Sequence, residues 1–519
     1  MAQSGGTVTV AVPAVPTSLN PHTPAGDNTA TRMVTSLTDP QIFEIGPGLQ
    51  PILDTQFVTS AEVESVNPQT VVYQVNKRAV WSDGVPIGVQ DFLYDWQLQA
   101  TSLGYSDIQT ITAPSTGNSV EVVFKRPYAD WADLFDDLIP EHVASVIGWD
   151  DGYTSASSDA FVSGGPYEVA SWSPGTRIVL QPNPHWWGPR AKLTEIVIQA
   201  ASGSKHLEAL VADRQAGVVY TPAFDESLLE SVSSSPDTDS QTDLGTTMLQ
   251  LVFNLKSPKT QVPSGRQGMA LEIDRTELVR SLVDPLDPRV EVDDDFLAAN
   301  AQRSYTSDGG GFDSSNPQAA QTLLLDSGLK LDPAGGWTSD GAPVALNIRW
   351  AADDPWSQMV APAIEAELVE AGFTVHADPV ATKALDRSEL SGDGWDLALV
   401  GVPANPYTAE MGKDYSTSPT VAGTGASTDW SGFDDPQVDT LFQTAAGELA
   451  PAKAATIYQQ IDALLWQAMP ALPLFAEPSL LVSESGLSGV QSDAWGIGPM
   501  WNAASWARLG PSRAASSKG

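Results

Sequence analysis

The sequence predicts a mixed α/β protein divided into two or three lobes. Its 519 residues are too many for one ordinary hydrophobic core. Segments rich in β-branched residues dominate its first 200 or so positions, and helical apolar spacing takes over beyond about residue 315. The two kinds of segment alternate in no simple βαβ rhythm, and no internal repeat is visible, which leaves a lobed mixed architecture.

Thr7 to Val12 alternates as a strand, after which Pro13, Pro16, Pro21 and Pro24 enforce an extended loop. Thr70 to Val75 ("TVVYQV") reads as a strand by its β-branched content. The stretch "WSDGVPIGVQDFLYDW" over 81–96 follows. Asp83-Gly84 is a turn pair in which glycine takes a positive φ. Gly88 is placed to cap a helix, with Asp91 three residues on beside the first-turn amides. Phe92 and Trp96 then share a face at i, i+4, so this corner is strand, turn and helix, with its acids placed by backbone needs.

Ser119 to Phe124 is a further strand, and Arg177 to Gln181 and Glu195 to Ala200 flank the connector "PNPHWWGPR". The acidic or Ser-rich stretches Ser231 to Asp243, Asp284 to Asp295 and Ser304 to Ser315 are expected to be solvated loops. "EVDDDF" within the second has acids enough for calcium but lacks the glycine and spaced ligands of an EF-hand loop. Asn316-Pro317 caps and starts a helix that Gly328 can end, with Ala320, Leu323 and Leu324 on one face. Asp435-Pro436 starts another, carrying Val438, Leu441, Phe442 and Ala445. Ala454, Ile457, Ile461, Leu464, Leu465 and Ala468 line a longer one.

Composition excludes several functions. With 26 basic against 64 acidic residues, the chain lacks the clustered cations that nucleic acid demands. There is no cysteine, hence no disulfide, thiolate metal site or cysteine nucleophile. The 42% hydrophobic content is that of a soluble globular protein, and no run approaches the roughly 18 to 20 apolar residues of a membrane span. H-E-x-x-H, G-x-S-x-G, Walker A and G-x-G-x-x-G motifs are missing. The histidines at 22, 142, 185, 206 and 376 form no i, i+4 pair for zinc. No carboxylate pair stands out for glycosidase-like chemistry, so neither an enzyme nor a metal or cofactor site has a positive feature behind it. Met1-Ala-Gln-Ser-Gly-Gly shows neither the basic nor the apolar region of an export signal.

The corner and what surrounds it resemble a known family. "TVVYQVNKRAVWSDGVPIGVQDFLYDWQ" is similar to the signature of the family 5 extracytoplasmic solute-binding proteins, the peptide and nickel receptors of ABC importers. Other blocks follow in the family's order: "SLNPH", "SGGPYEVASWSPGTRIVLQPNPHWWG", "LVFNLKSP" with "RQGMALEIDRTELV", "NPQAAQTLLLDSGL" and "GGWTSDGAPVALNIRW". The resemblance implies a type II periplasmic-binding-protein-like fold. A discontinuous lobe I would comprise 1–45, 162–258 and 479–519, an inserted domain II 46–161, and lobe II 259–478. It further implies a peptide or peptide-like ligand in an interlobe cleft, an ABC permease as partner, a monomer, and a lipid anchor on a cysteine preceding this sequence. Asp27, Asn28, Tyr105, the segment Gly401 to Tyr407, and Trp430 and Trp501 would face the ligand.

One departure stands out. Family peptide receptors hold the ligand's α-amino group with an aspartate after a second-lobe strand. In "WDLALVGVPANPYTAEM" that position falls on Asn405, or on Val402 in the other register, and neither carries a charge. Asp27, Glu410 and Asp414 are the nearest acids by sequence, and each is expected to be solvated. Segments such as "ADLFDDLIPEHV" resemble an actinobacterial lipoprotein branch implicated in lipomannan and lipoarabinomannan synthesis, which makes an envelope-regulating role the alternative.

Overall fold

The fold is given by a computed structural model that describes residues 2–3, 5–46, 48–114, 118–155, 157, 161–385, 390, 394–418, 421, 427–492 and 497–509. Strand β1 (Thr7–Val12) enters lobe I, and helix α1 (Thr29–Thr38) follows the proline loop. The chain then leaves lobe I for domain II, made of β2 (Val58–Val66), β3 (Gln69–Val75), α2 (Val89–Leu98), β4 (Ile108–Thr112), β5 (Ser119–Phe124) and α3 (Glu141–Ile147). Its antiparallel sheet has the order β2-β3-β5-β4.

The chain returns to lobe I through β6 (Tyr167–Ser173), β7 (Arg177–Pro182), β8 (Glu195–Ala200), β9 (Val218–Thr221) and β10 (Thr238–Asp243). It crosses into lobe II at residues 244–246. There it forms β11 (Thr247–Phe253), α4 (Pro263–Leu271), α5 (Pro317–Asp326), β12 (Ala345–Ala351), α6 (Pro355–Glu370), β13 (Thr374–Val380) and β14 (Leu397–Pro403). A 3₁₀ turn (Thr408–Asp414), α7 (Pro436–Ala446), α8 (Pro451–Ala468) and β15 (Ala471–Ala476) complete lobe II. The last crossing leads to β16 (Ser479–Glu484) in lobe I.

The lobe I sheet runs β10-β16-β9-β1-β8-β7-β6 and the lobe II sheet β13-β12-β14-β11-β15. This corrects one expected boundary: β11, assigned from sequence to a first-lobe segment ending at 258, pairs with β14 and β15 in the second sheet. The two crossings lie against each other, since a Cβ on Gly245 would sit 1.5 Å from the Glu477 carbonyl oxygen. Only glycine fits that approach.

Two of the expected solvated loops are also corrected. Ser231 to Asp243 ends a helix (Glu226–Ser233) and then supplies β10, an edge strand whose polar side chains point to solvent. Within Asp284 to Asp295, Asp287, Asp293 and Asp295 are buried. The reason is Arg275, itself 2% exposed, which draws this stretch inward by bonding the Asp293 carbonyl at 2.7 Å and the Asp294 carboxylate at 2.9 Å. A buried guanidinium is tolerated only with such partners. Ser304 to Ser315 is irregular, and its Phe312 stacks on Trp466 at 6.0 Å.

The lobes touch each other directly. Trp356 of α6 is fully buried, donates to the Pro222 carbonyl of lobe I at 3.3 Å and meets Phe224 edge-on. Arg289 of lobe II donates to the Thr242 carbonyl beside the crossing. Among the described residues, no helix is long and apolar enough to cross a membrane.

Candidate functional site

The expected ligand residues separate into several locations. Asp27 of lobe I is exposed and pairs with Arg32 of α1 at 2.9 Å. Asn28 caps α1, its side chain accepting from Thr31 N–H at 3.0 Å. Tyr105 is a correction: it belongs to the core of domain II, where its hydroxyl donates to Asp95 at 2.6 Å and accepts from Phe135 N–H at 2.8 Å. Both capacities of that phenol are used within the domain, so nothing is left for a ligand. Gly401, on β14, lies beside Thr247 and Glu477 at the crossings. Val402 and Trp430 do meet, together with Gln250 and Tyr415, but the space they enclose is about 10 Å³, room for about one water. Trp501 lines a separate groove of about 230 Å³ with Leu37, Glu44 and Trp186.

Asn405 is engaged by its own loop. Its side-chain oxygen accepts from Tyr407 N–H at 2.9 Å, an Asx turn, and its carbonyl accepts from Gln302 at 3.0 Å. Tyr407 is buried and reaches across to domain II, donating to the Ala132 carbonyl at 2.9 Å. Two more bonds close the same seam. Ala409 N–H donates to the Asp130 carboxylate at 3.0 Å, and Ala129 N–H donates to the Ala446 carbonyl at 2.6 Å.

Around this seam charged groups converge from all three units. Lobe I brings Asp27 and Arg32, domain II brings Asp130, Asp133, Asp136 and Asp137, and lobe II brings Glu410, Lys413 and Asp414. Several already have backbone work: Asp136 accepts from Ile42 N–H at 2.6 Å and Phe43 N–H at 3.0 Å, and Asp414 accepts from the Thr428 hydroxyl. Asp133, Glu410 and Lys413 differ, because no described residue hydrogen-bonds their side chains. The loop that carries the domain II acids is strained, with Phe135 at φ 68° and Asp137 at φ 52°. Bulky and charged residues in the left-handed region cost free energy and concentrate where function holds them.

Burial is the leading cause of the electrostatics here. It raises Asp130 to about 6, helped by Glu410 and opposed by the Ala409 amide. Burial and then Glu410 push Asp133 well above the usual carboxylate range, and Glu410 itself is raised by burial and Asp27 against the pull of Lys413. Lys413 is penalised by burial, yet Glu410, Asp414, Asp27 and Asp133 outweigh that and hold its pKa above the ordinary value. Asp414, expected from sequence to be solvated, is buried and Glu410 half-buried, whereas the Asp27 side chain is 63% exposed.

Sequence reasoning missed Arg32, Asp130, Asp133 and Lys413. A signal for the acids was available: in "WADLFDDLIP" they alternate with Leu134, Phe135, Leu138 and Ile139, all of which are buried. Acids so tightly interleaved with core residues cannot all reach bulk water.

Two lobes on separate sheets, joined by two crossings and meeting domain II at a charged seam, have the layout of a two-lobed binding protein. The chain belongs to the bacterial extracellular solute-binding proteins, family 5, whose "family 5 Middle" model matches residues 54–423. It is 25% identical over 509 residues to the oligopeptide-binding protein OppA of Mycobacterium tuberculosis, covering 94% of this chain and 82% of that protein. It is 27% identical over 411 residues to the same organism's probable monoacyl phosphatidylinositol tetramannoside-binding protein LpqW, covering 70% of this chain and 63% of that one. Among solved structures, the periplasmic EDTA-binding protein EppA matches with a TM-score of 0.90 at 24% identity, covering 98% of each chain. The Bacillus subtilis oligopeptide-binding protein AppA, solved with a nonapeptide, matches at 0.80 and 16% identity over 98% of this chain and 100% of that one.

Proposed function

We propose that this protein is the extracytoplasmic binding subunit of an ABC importer, capturing an oligopeptide or peptide-like solute between its lobes and carrying out no catalysis. The observation behind this reading is the seam itself, where Asp133, Glu410 and Lys413 are half-buried and, among the described residues, have no hydrogen-bond partner for their side chains. Enclosed charge without partners is costly. A zwitterionic solute relieves that cost by offering an ammonium to the acids and a carboxylate to Lys413 and Arg32. Similarity to OppA over nearly the whole chain favours peptide as that solute. Extracytoplasmic placement, monomeric state, a lipid anchor and a permease partner belong to the same reading, with the lipoproteins among the curated relatives in support.

Incubation with a random peptide pool, desalting and native mass spectrometry provide the test. A retained peptide mass is expected. A protein that emerges empty from peptide pools of every length overturns the reading. The similarity to LpqW supports a second one, an envelope role through a mannosylated glycolipid. Retention of such a lipid in place of peptide would establish it.

A further inference from the structure

The groove of about 230 Å³ that holds Trp501 lies where the chain leaves lobe I for domain II and where it comes back. Close packing fixes the backbone around it. Gly164 N–H and Gly165 N–H both donate to the Thr38 carbonyl, at 2.8 and 2.9 Å. A Cβ on Gly165 would sit 2.2 Å from the Leu37 carbonyl oxygen, so only glycine fits there. Trp187 donates to the Gln56 carbonyl at 2.7 Å, and Trp186 lies against Trp187 with ring centres 4.5 Å apart.

The walls combine aromatic surface with negative charge. Trp186 and Trp501 line the groove, and both indole N–H groups are already spent, on the Pro189 carbonyl at 3.0 Å and the Gln491 carbonyl at 3.2 Å. What the two indoles have left to offer is ring surface. Asp39, Glu44 and Asp54 line the same groove, and no lysine, arginine or histidine does. Glu44 faces Ile52 across the ribbon of strands Phe43–Gly46 and Gln50–Leu53. Asp54, two residues beyond Ile52 and bonded through its N–H to the Ile42 carbonyl at 2.9 Å, is therefore its diagonal neighbour on one face. Among the described residues, none hydrogen-bonds the Glu44 carboxylate.

The side-chain donors decide the class of ligand. Ser36 donates to the Met33 carbonyl at 3.2 Å, Ser505 to the Asn502 carbonyl at 2.8 Å, and Gln41 to the Asp137 carboxylate. Among the described residues, Gln56 is then the one lining side chain whose donor is not engaged. An anion would meet three carboxylates and no base. A sugar would need donors as well as acceptors for its hydroxyls. A cation needs only acceptors and ring faces, and those are present. The volume lies below the roughly 300–1,000 Å³ of pockets for drug-sized ligands, so the groove takes a head group and not a peptide chain. We propose that it is a second ligand site, for a small organic cation of the quaternary ammonium type, with Trp186 and Trp501 as its ring contacts and Glu44, Asp54 and Asp39 as its counter-charge. An alkylated ammonium suits the walls better than a bare one, because ring faces can replace its hydration. The site goes beyond the peptide-receptor reading and does not depend on it.

Calorimetry on the full chain tests this with choline and with its neutral carbon isostere, in which a tert-butyl group replaces the trimethylammonium. Choline should bind at least about tenfold more tightly than the isostere, since the two share a shape and differ in charge. E44Q should shrink that ratio. W501L should weaken choline about threefold to tenfold, while W501F, which restores a ring, should keep most of the affinity. Thermal unfolding of each variant verifies that it is folded, and should W501L fail to fold, E44Q and W501F carry the test. Equal affinity for the two compounds overturns the cation site. A ratio that the folded variants leave unchanged overturns it too, by placing choline elsewhere on this acidic chain. Binding of neither compound, or of methyl mannoside in place of choline, overturns it as well, and each of these results leaves the peptide-receptor reading standing.

Discussion

Two regions of this molecule are rich in the same residues and use them in opposite ways. In the 81–96 corner of domain II every acid has a protein partner. Asp83 accepts from Val85 N–H at 3.1 Å and meets His142 at 2.7 Å. Asp91 accepts from Gly88 N–H at 2.9 Å, closing a capping box, and from Glu141 N–H at 3.1 Å, which ties α2 to α3. Asp95 takes the Tyr105 hydroxyl and Gln99. At the seam, Glu410 and Asp133 have none among the described residues, and Tyr128 of the domain II core is buried with its hydroxyl unpaired. Acids and aromatics in one place therefore do not mark a site. Acids and aromatics left without partners in an enclosed place do.

The contrast makes opposite predictions for mutations of similar chemistry. Asp91→Ala removes one acceptor from two partly buried backbone amides on different helices. It should cost about 3 kcal/mol, at about 1.5 kcal/mol for each bond to a charged group. Glu410→Gln removes a charge that no hydrogen bond supports, and it should leave stability unchanged or raise it. Urea denaturation of the two variants side by side checks both, and a comparable loss in both would erase the distinction.

The tyrosines sharpen the same comparison. Tyr105 and Tyr128 are both buried in the domain II core. Tyr105→Phe leaves one oxygen of the Asp95 carboxylate and the Phe135 amide without a partner, for a loss of about 2 kcal/mol. Tyr128→Phe deletes a hydroxyl with no hydrogen-bond partner, and should be neutral or stabilising by up to about 1 kcal/mol. Thermal unfolding of the ligand-free protein separates the two outcomes.

A smaller effect is expected from pH. Burial raises Asp130, Asp295 and Asp414 to about 6, Glu44 to about 7 and Asp462 to about 8. Unfolded, such groups titrate near 4. The folded state thus holds these protons more tightly. Their contribution to stability is fully present below about pH 4 and is lost as pH rises through 6 to 8. Asp83 acts in the opposite direction: partly buried, it is nevertheless held below the usual range by His142 and the Val85 amide, and its contribution is lost on acidification. The net charge of −38 adds self-repulsion at the alkaline end. The melting temperature of the ligand-free protein should therefore be highest near pH 4 and fall by several degrees at pH 8, as scanning calorimetry across that range will show.

What the sequence revealed follows the range of the forces involved. Thr7–Val12, Ser119–Phe124 and Glu195–Ala200 have the same bounds in the structure as in the sequence, because alternation and β-branching act locally. The caps at Asn316 and Asp435 are likewise seen, each accepting amides of its own first turn. The seam was not legible in this way. Whether Glu410 is solvated depends on a domain whose nearest contributing residue, Asp137, lies 273 positions earlier. Asn405 was expected to meet the ligand because of its register in the family pattern, but its oxygen is taken by an amide two residues away. Arg275 shows the same limit from the other side: one buried cation turned an acidic loop into core.

A crystal structure of the protein with a captured peptide tests the central claim most directly. The account predicts polar groups of the ligand within hydrogen-bond reach, about 3 Å, of the Glu410 carboxylate and the Lys413 ammonium. A peptide ammonium seated on Asn405, with Glu410 and Lys413 still unpaired, would contradict it.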